Sequence, residues 1–386
     1  MSSVEHQDRK LARVVLIDSL HPIEGADRIE LAMVGGWQVV VQKGLYVVGD
    51  KAVHFEIDSL LPLDHSAFAS LSTISSKLQF VVEGKQYARI KTMKLRKQLS
   101  QGFCVPLAEA GVPSALNVDE DVTKFLGVLK YESAGEKGMN GTPGMKTGSS
   151  ALGFPKFIPK TDQTRLQNIP VQFEQARASG ELFEKSFKLD GSSLTAYSFD
   201  GNIGVASRNV GFRLEAVKKG FVQTIRDFVS QARQRGLTHA KWEPVIPADS
   251  NAFIDMANES GVVEALKKEA RNLAFQGEMV GPSIQKNFEG VDSNEFYIYD
   301  VYDIDAQKYL LPAERQELCA AHNLKHVPLA SGEDGVTLPL DVATAIQDAD
   351  GPSGLKGRYR EGFVYKSMTR DFSFKVISNA YLLKEE

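Results

Sequence analysis

The chain has 386 residues, 42% of them hydrophobic and 24% charged, with a formal net charge of −4. That composition is ordinary for a globular chain of two or three domains and excludes collagen-like and disordered classes. The small negative charge excludes a global basic field, so any nucleic-acid binding has to come from local patches.

The N-terminus, MSSVEHQDRKLARVVLIDS, is polar and then strand-like, without the apolar core of a signal peptide. No stretch approaches the roughly 18 consecutive apolar residues that a membrane helix needs. An intracellular location, cytosolic or nuclear, is the expectation. The two cysteines, Cys104 and Cys319, lie far apart and outside any CxxC pattern. They predict free thiols, with one long-range disulfide as the alternative.

Residues 11–130 read as mostly β. LARVVLIDSL, IELAMVGG, WQVVVQKG, YVVGDKAVHFEI, LQFVVEG and YARIKTM are short β-branched runs separated by glycines. Many short strands in about a hundred residues predict a small barrel or sandwich. Within this region, residues 85–98 (KQYARIKTMKLRKQ) carry Lys85, Arg89, Lys91, Lys94, Arg96 and Lys97 and no acid. A solvated basic face explains such a run as readily as a groove following a nucleic-acid backbone. Concentrating six cations in a net-negative chain favours binding.

Residues 132–153 lose all periodicity and are dominated by glycine, serine and threonine, which predicts a linker. The domains expected are therefore 1–131 and 154–386. In the second, residues 183–207 form three strand-like runs, with Asp-Gly-Asn at 200–202 as a hairpin turn. Residues 214–236 have helical spacing through Val217, Phe221, Ile225 and Phe228, and 262–274 look helical too. FQGEMVG, FYIYDVYDID, EGFVYKSM and FSFKVIS read as strands. The class expected is α+β.

Side-chain alternation in the strand at 183–190 puts Lys188 and Asp190 on one face, with Lys185 and Phe187 on the other. A lysine is nucleophilic only when deprotonated, and a neighbouring carboxylate raises its pKa. Lys188 can therefore attack an electrophile only with metal ions or further cations nearby. Alone, KLDG at 188–191 is more often an exposed ion pair than a reactive site. Other stretches supply partners: SRN with Arg208, QGE with Glu278, YDV with Tyr299 before Asp300, EGFVYK with Glu361 and Lys366, and SFK with Lys375. Each has a bland explanation alone; the order is what informs.

This ordered series resembles the covalent nucleotidyltransferase superfamily, which includes ATP-dependent ligases and mRNA capping enzymes. GEMVGPSIQKN and KTDQTRLQN are more similar to RNA ligases than to DNA ligases. Only eleven residues follow Lys375, too few for a C-terminal OB barrel, and the barrel-like region lies at the N-terminus instead. That order resembles the fifth family of ATP-dependent RNA ligases. The resemblance implies an OB-like barrel followed by a ligase-type domain of antiparallel sheets with flanking helices, unrelated to ATP-grasp enzymes.

The resemblance also implies the roles. Lys188 takes AMP from ATP, the AMP passes to an RNA 5′-phosphate, and a 3′-hydroxyl seals the junction, with a nicked duplex as the expected substrate and a monomer as the expected state. Asp190, Glu278 and Glu361 would hold Mg²⁺ or Mn²⁺, mainly through water. Lys375 would contact the α-phosphate, and Lys366 the same region. Arg165, Gln167, Gly191 and Glu278 would contribute to the ATP pocket, Tyr299 would stack on adenine, and Arg208 would lie near the ribose and the RNA 5′-phosphate. Lys85, Arg89, Lys91, Lys94, Arg96 and Lys97 would contact RNA. Ser373 stands where many relatives carry a second lysine. Two alternatives stay open: a capping guanylyltransferase or DNA ligase, and an OB-type binding protein with a decayed catalytic domain. The intact set Lys188, Asp190, Arg208, Glu278 and Glu361 speaks against the second.

Overall fold

The computed structural model describes residues 9–131, 152–212, 214, 217–218, 245–246, 250–332 and 334–384. The predicted helix at 214–236 lies outside the described residues except for its start, where Val217–Lys218 pair with Val245–Ile246 as short strands instead. Of the predicted linker, 132–151 also lie outside them.

The N-terminal half contains β1 (Ala12–Leu16), β2 (Ser19–Pro22), β3 (Ile29–Val34), β4 (Trp37–Gln42), β5 (Lys51–Phe55), β6 (Ser59–Pro62), β7 (Gln79–Val82), β8 (Lys85–Arg89), β9 (Thr92–Leu95), β10 (Gln98–Gln101), β11 (Phe103–Pro106) and β12 (Leu129–Lys130). They form the antiparallel ladders β1-β5-β11, β2-β3-β4, β12-β6-β8-β7 and β9-β10. Two apolar clusters fill this half, one around Phe55 and Phe68, the other around Trp37, Val39 and Ile17. Sequence runs that read as single strands divide here: YARIKTM splits between β8 and β9. The β9–β10 turn is Arg96-Lys97, both at positive φ (49° and 65°), as a two-residue hairpin turn of matching twist requires. Gln38 Nε2 donates to Leu99 O at 3.0 Å, which ties this hairpin to β4.

The C-terminal half has strands β13 (Leu152–Gly153), β14 (Phe183–Lys188), β15 (Ser192–Phe199), β16 (Asn202–Ser207), β17 (Val210–Phe212), β18 (Val217–Lys218), β19 (Val245–Ile246), β20 (Leu273–Val280), β21 (Glu295–Asp303), β22 (Lys308–Tyr309), β23 (Gly362–Ser367) and β24 (Ser373–Ile377). Its helices are α1 (Pro170–Ala178), α2 (Ala252–Glu259), α3 (Val262–Lys268), α4 (Pro312–Ala321), α5 (Val342–Asp348) and α6 (Asn379–Lys384). Leu152–Gly153, expected in the linker, instead pair with β17. The helix expected over 262–274 stops at Lys268, because Leu273 and Ala274 enter β20, whose first five residues are all buried. Pairing on both edges of that central strand, with β15 and β21, overrides local helix propensity.

Two sheets carry the site. In the seven-stranded sheet β13-β17-β16-β15-β20-β21-β22, Leu194, Ala196, Phe275 and Met279 face a core shared with α2 and α3. The opposite face presents Ser193, Gln276 and Glu278. In the three-stranded sheet β14-β23-β24, Phe183, Phe363, Tyr365, Phe374 and Val376 face one core. By strand alternation, Glu184, Ser186, Lys188, Lys366 and Lys375 share the other face.

The halves touch at the segment before α1. Arg13, 3% exposed, donates through Nη2 to Gln167 O at 2.7 Å. Gly36, at φ +83°, lets the β3–β4 turn pass under Val342, since a Cβ there would sit 2.5 Å from Val342 Cγ1.

Candidate active site

Lys188 ends β14, opposite Gly362 of β23. Its Nζ lies 2.6 Å from Glu361 Oε2. Burial works against the Lys188 charge, but Glu361, Glu278 and Asp190 outweigh it and hold the ammonium above the ordinary lysine range. The lysine is therefore charged in this arrangement, and its amine could be freed only by another cation that engages those carboxylates.

The carboxylates answer in kind. Burial pushes Glu278 up to about 8; Lys188 pulls the other way, and the like charges of Glu361 and Asp190 add to the rise. Lys375, on β24, is pushed down to about 7 by burial and by the neighbouring cations Lys188 and Arg165. Among the described residues no three carboxylate, histidine or cysteine side chains converge closely enough to ligate a metal directly. Carboxylates that repel one another in this way, as the raised Glu278 shows, form a donor set whose charge a divalent cation would offset.

Asp190 is oriented from two sides. Its backbone N–H donates to Glu289 Oε1 at 3.0 Å, and Tyr381 donates through its hydroxyl to Asp190 Oδ2 at 3.1 Å. Glu289 is 1% exposed and is itself held by Ser353 Oγ at 2.5 Å. Neither Glu289 nor Tyr381 belongs to a motif, and sequence reasoning missed both. Gly191 is required sterically: a Cβ there would lie 2.1 Å from Met279 O, where the chain enters β15 beside β20.

Tyr299 is the extra residue of a β-bulge. Gln276 pairs with Asp300 and Gly277 with Ile298, which leaves Tyr299 unpaired between them. The bulge lets two consecutive residues serve the same side of the sheet. Tyr299 reaches Ser193 Oγ at 3.2 Å, while Asp300 pairs with Lys366 Nζ. Tyr297, its rival on the strand, is 9% exposed, packs with Leu189 and Val280, and bonds Glu295 instead.

Lys366 is buried, and its ammonium is engaged by Asp300 and by Tyr299 O at 2.5 Å rather than directed at Lys188. Beside it lies a buried network: Arg315, 1% exposed, donates through Nη2 to Glu184 Oε2 at 2.6 Å and through Nε to His326 Nε2 at 3.0 Å. The floor under Tyr299 is thus built from charges that nearly cancel.

The segment 160–168 forms a wall. Thr161 Oγ1 meets Ser193 Oγ at 3.2 Å, Ser373 donates to Gln163 Oε1 at 2.8 Å, and Lys375 N–H donates to Thr164 O at 2.8 Å. Arg165 bridges to Lys375 through the backbone and places its guanidinium 5.6 Å from the Trp37 ring of the N-terminal half. Gln167, expected in the pocket, instead packs against Gly36 at the junction of the halves, because Leu166 turns the chain into a short 3-10 turn there. Arg208 stands just past β16 and pairs with Asp162 at 2.6 Å.

The six cations of 85–98 do not form one continuous stripe. Lys85 faces Asp64 at 3.7 Å, Arg89 pairs with Asp58 at 2.6 Å and stacks 3.6 Å above the Tyr131 ring, and Lys94 donates to Leu383 O at 2.9 Å. Lys91, Arg96 and Lys97 are exposed, the last two at the β9–β10 turn. Cys104 and Cys319 are both free and buried. No helix among the described residues is long and apolar enough to cross a membrane.

A small barrel joined to a two-sheet domain, with a lysine set among carboxylates at the sheet face, defines a nucleotidyltransferase of the ligase type. The family model for RNA ligase matches residues 183–377, and a model described as an OB-fold domain matches 11–107. The chain belongs to the RNA ligase family. Among solved structures it is similar to the RNA ligase of Naegleria gruberi with pyrophosphate, at 37% identity over 98% of this chain and 99% of that one, TM-score 0.72. A lysine-to-alanine variant of that ligase with ATP and manganese gives 36% identity, coverage of 97% and 99%, and TM-score 0.72. A glutamate-to-alanine variant with AMP and manganese gives 36%, 98% and 99%, and 0.72. No curated protein matches the sequence. The expected OB-fold and ligase halves, and the α+β class, are borne out.

Proposed function

We propose that this ligase uses ATP to join an RNA 3′-hydroxyl to a 5′-phosphate at nicks in a duplex. The observation that carries the reading is Lys188 held 2.6 Å from Glu361 within a group that also contains Asp190, Glu278 and Lys375. The deprotonated Lys188 amine attacks the α-phosphate of ATP; an N–P bond forms, the P–O bond to pyrophosphate breaks, and pyrophosphate leaves. The AMP then passes to the RNA 5′-phosphate and frees Lys188. Attack by the 3′-hydroxyl on that phosphate releases AMP and closes the strand. Phosphoryl transfer asks the protein mainly to position groups and balance charge.

Asp190, Glu278 and Glu361 would hold Mg²⁺ or Mn²⁺, which supplies positive charge to offset the carboxylates beside Lys188 and the phosphate oxygens. Lys375, close enough to Lys188 and Glu361 to interact with both electrostatically, and Arg165, which interacts likewise with Glu361, offer donors for the phosphates. Tyr299, aimed by its bulge and backed by Lys366, offers a face for adenine. Arg208, at the exposed end of β16, offers a contact for the RNA 5′-phosphate. Lys91, Arg96 and Lys97 offer an electrostatic footing for duplex backbone on the OB domain, with Lys85 and Arg89 beside them.

Mass spectrometry after mixing with ATP and Mg²⁺ tests the first step. A gain of one AMP, absent in Lys188→Ala, is expected; labelling that survives the substitution rejects Lys188 as the nucleophile. Sealing assays on nicks with RNA or DNA 3′ ends test the substrate. Equal sealing of all-DNA nicks rejects the RNA preference.

A further inference from the structure

The C-terminal helix α6 touches both halves of the molecule. At its start, Asn379 sits between two glutamines of the OB domain: Gln101 Nε2 donates to its Oδ1 at 3.4 Å, and its Nδ2 donates to Gln38 Oε1 at 3.4 Å. At its end, Leu383 O accepts from Lys94 Nζ at 2.9 Å. Between these anchors lies Tyr381, 5% exposed. Its ring meets Phe288 edge-on with centroids 5.0 Å apart, its backbone N–H donates to Ser378 Oγ at 3.0 Å, and its hydroxyl donates to Asp190 Oδ2 at 3.1 Å.

A six-residue helix is far too short to hold itself together in water. Its position comes from what it touches, and the OB hairpin β9–β10 is a main part of that. The Tyr381 hydroxyl meanwhile fixes one oxygen of Asp190, which sets the direction of the other. With the Asp190 backbone clamped by Glu289, the carboxylate has little freedom left once Tyr381 is seated.

We infer that Tyr381 is a positioning residue for Asp190, and that through α6 the setting of this carboxylate depends on the OB domain being docked. The inference rests on the ligase reading above. It gives the docked barrel a role in adenylate formation, apart from any contact of the barrel with RNA. It also reassigns Lys94, expected at the RNA surface, to the link between the halves.

Tyr381→Phe keeps the ring on Phe288 and removes only the hydroxyl. In the full chain carrying Lys188→Met, so that nucleotide binds without reacting, calorimetry compares ATP binding with Mn²⁺ and with chelator. Tyr381→Phe is expected to weaken the Mn²⁺-dependent binding about tenfold, in the range of groups that orient metal-site carboxylates. Binding in chelator and the melting temperature are expected to stay at the parent values. Replacing the anchors together, Lys94→Met with Gln101→Leu, is expected to act in the same direction, and adding Tyr381→Phe to it is expected to cost little more.

Unchanged Mn²⁺-dependent binding in Tyr381→Phe overturns the positioning role. Fully independent effects of the anchor and tyrosine substitutions overturn the dependence on the OB domain. The unsubstituted chain is assayed alongside for AMP gain. If it gains none, the ligase reading fails; if it gains AMP and Tyr381→Phe binds as the parent does, only this inference fails.

Discussion

Glu361 Oε2 lies 2.6 Å from Lys188 Nζ, and this ion pair, with the nearby charges of Glu278 and Asp190, keeps the lysine protonated against the pull of burial. Glu361→Gln removes a negative charge that stabilises the ammonium and would share the metal's charge. The expected result is a loss of lysyl-AMP formation of about 100-fold or more, the scale for removing one electrostatic partner of a reacting group. Quench-flow labelling with radioactive ATP checks it. A rate within a fewfold of the parent contradicts the role given to Glu361.

Tyr299 is expected to matter as a ring more than as a phenol. Its hydroxyl bonds Ser193 Oγ at 3.2 Å, a contact between two partly buried groups that Tyr299→Phe gives up at small cost. Tyr299→Ala removes the stacking face, worth about 1–3 kcal/mol per base. ATP affinity is expected to fall at least about fivefold in the alanine variant, by the same stacking figure, and to hold in the phenylalanine variant. Equal losses in both would assign the effect to the hydroxyl.

The motif residues of the site were legible because each sits on a strand or directly beside the end of one, and strand alternation fixes the side of those within it. Lys188 opposite Gly362, and Lys375 opposite Val364, fall on the same sheet face by parity alone. Tyr299 and Asp300 were harder: simple alternation puts neighbours on opposite faces, and only the bulge opposite Gln276 and Gly277 brings both to one side. Glu289 and Tyr381 left no signal, since they reach Asp190 from 99 and 191 residues away in sequence. The start of β20 has the local propensity of a helix, and only its two partner strands, far away in sequence, make it a strand. The basic run at 85–98 showed its charge but not its partners, which come from Asp64, Asp58 and the C-terminal helix.

The buried network under Tyr299 predicts a stability effect distinct from catalysis. Arg315 and Glu184 are 1% and 2% exposed, and Lys366 and Asp300 are 7% and 8% exposed. Removing one partner leaves an uncompensated buried charge, which typically costs about 3–5 kcal/mol. Arg315→Met is expected to lower unfolding free energy by up to about that amount, because Glu184 keeps the Gln316 Nε2 donor at 2.5 Å but loses its ion-pair partner. Arg315→Met with Glu184→Gln is expected to recover a good part of it. Denaturant titrations of the single and double variants check both. A double variant less stable than the single one would mean that Glu184 gains its stability elsewhere.

Stability against acid depends in part on His326. Its Nδ1 lies 2.7 Å from Val327 O, and Arg315 Nε donates to its Nε2 at 3.0 Å. The ring is therefore neutral, with its proton on Nδ1. Burial and the Arg315 charge push its pKa down to about 4 from an ordinary 6.5, with Glu184 pulling the other way and Lys366 adding to the fall. His54, buried in the OB half, is pushed down to about 3, first by burial and then by Arg13. Between about pH 6.5 and the depressed values, the unfolded chain binds these protons and the folded chain does not, so stability falls on acidification through that window. Glu278, whose pKa is raised, acts with the opposite sign between its ordinary value and about 8. Comparing a variant with its parent removes that background. His326→Gln keeps an acceptor for Arg315 and cannot titrate. The slope of unfolding free energy against pH between 6.5 and 4 is expected to drop by about one proton in this variant. An unchanged slope would show that His326 binds its proton equally well in the folded and unfolded chain.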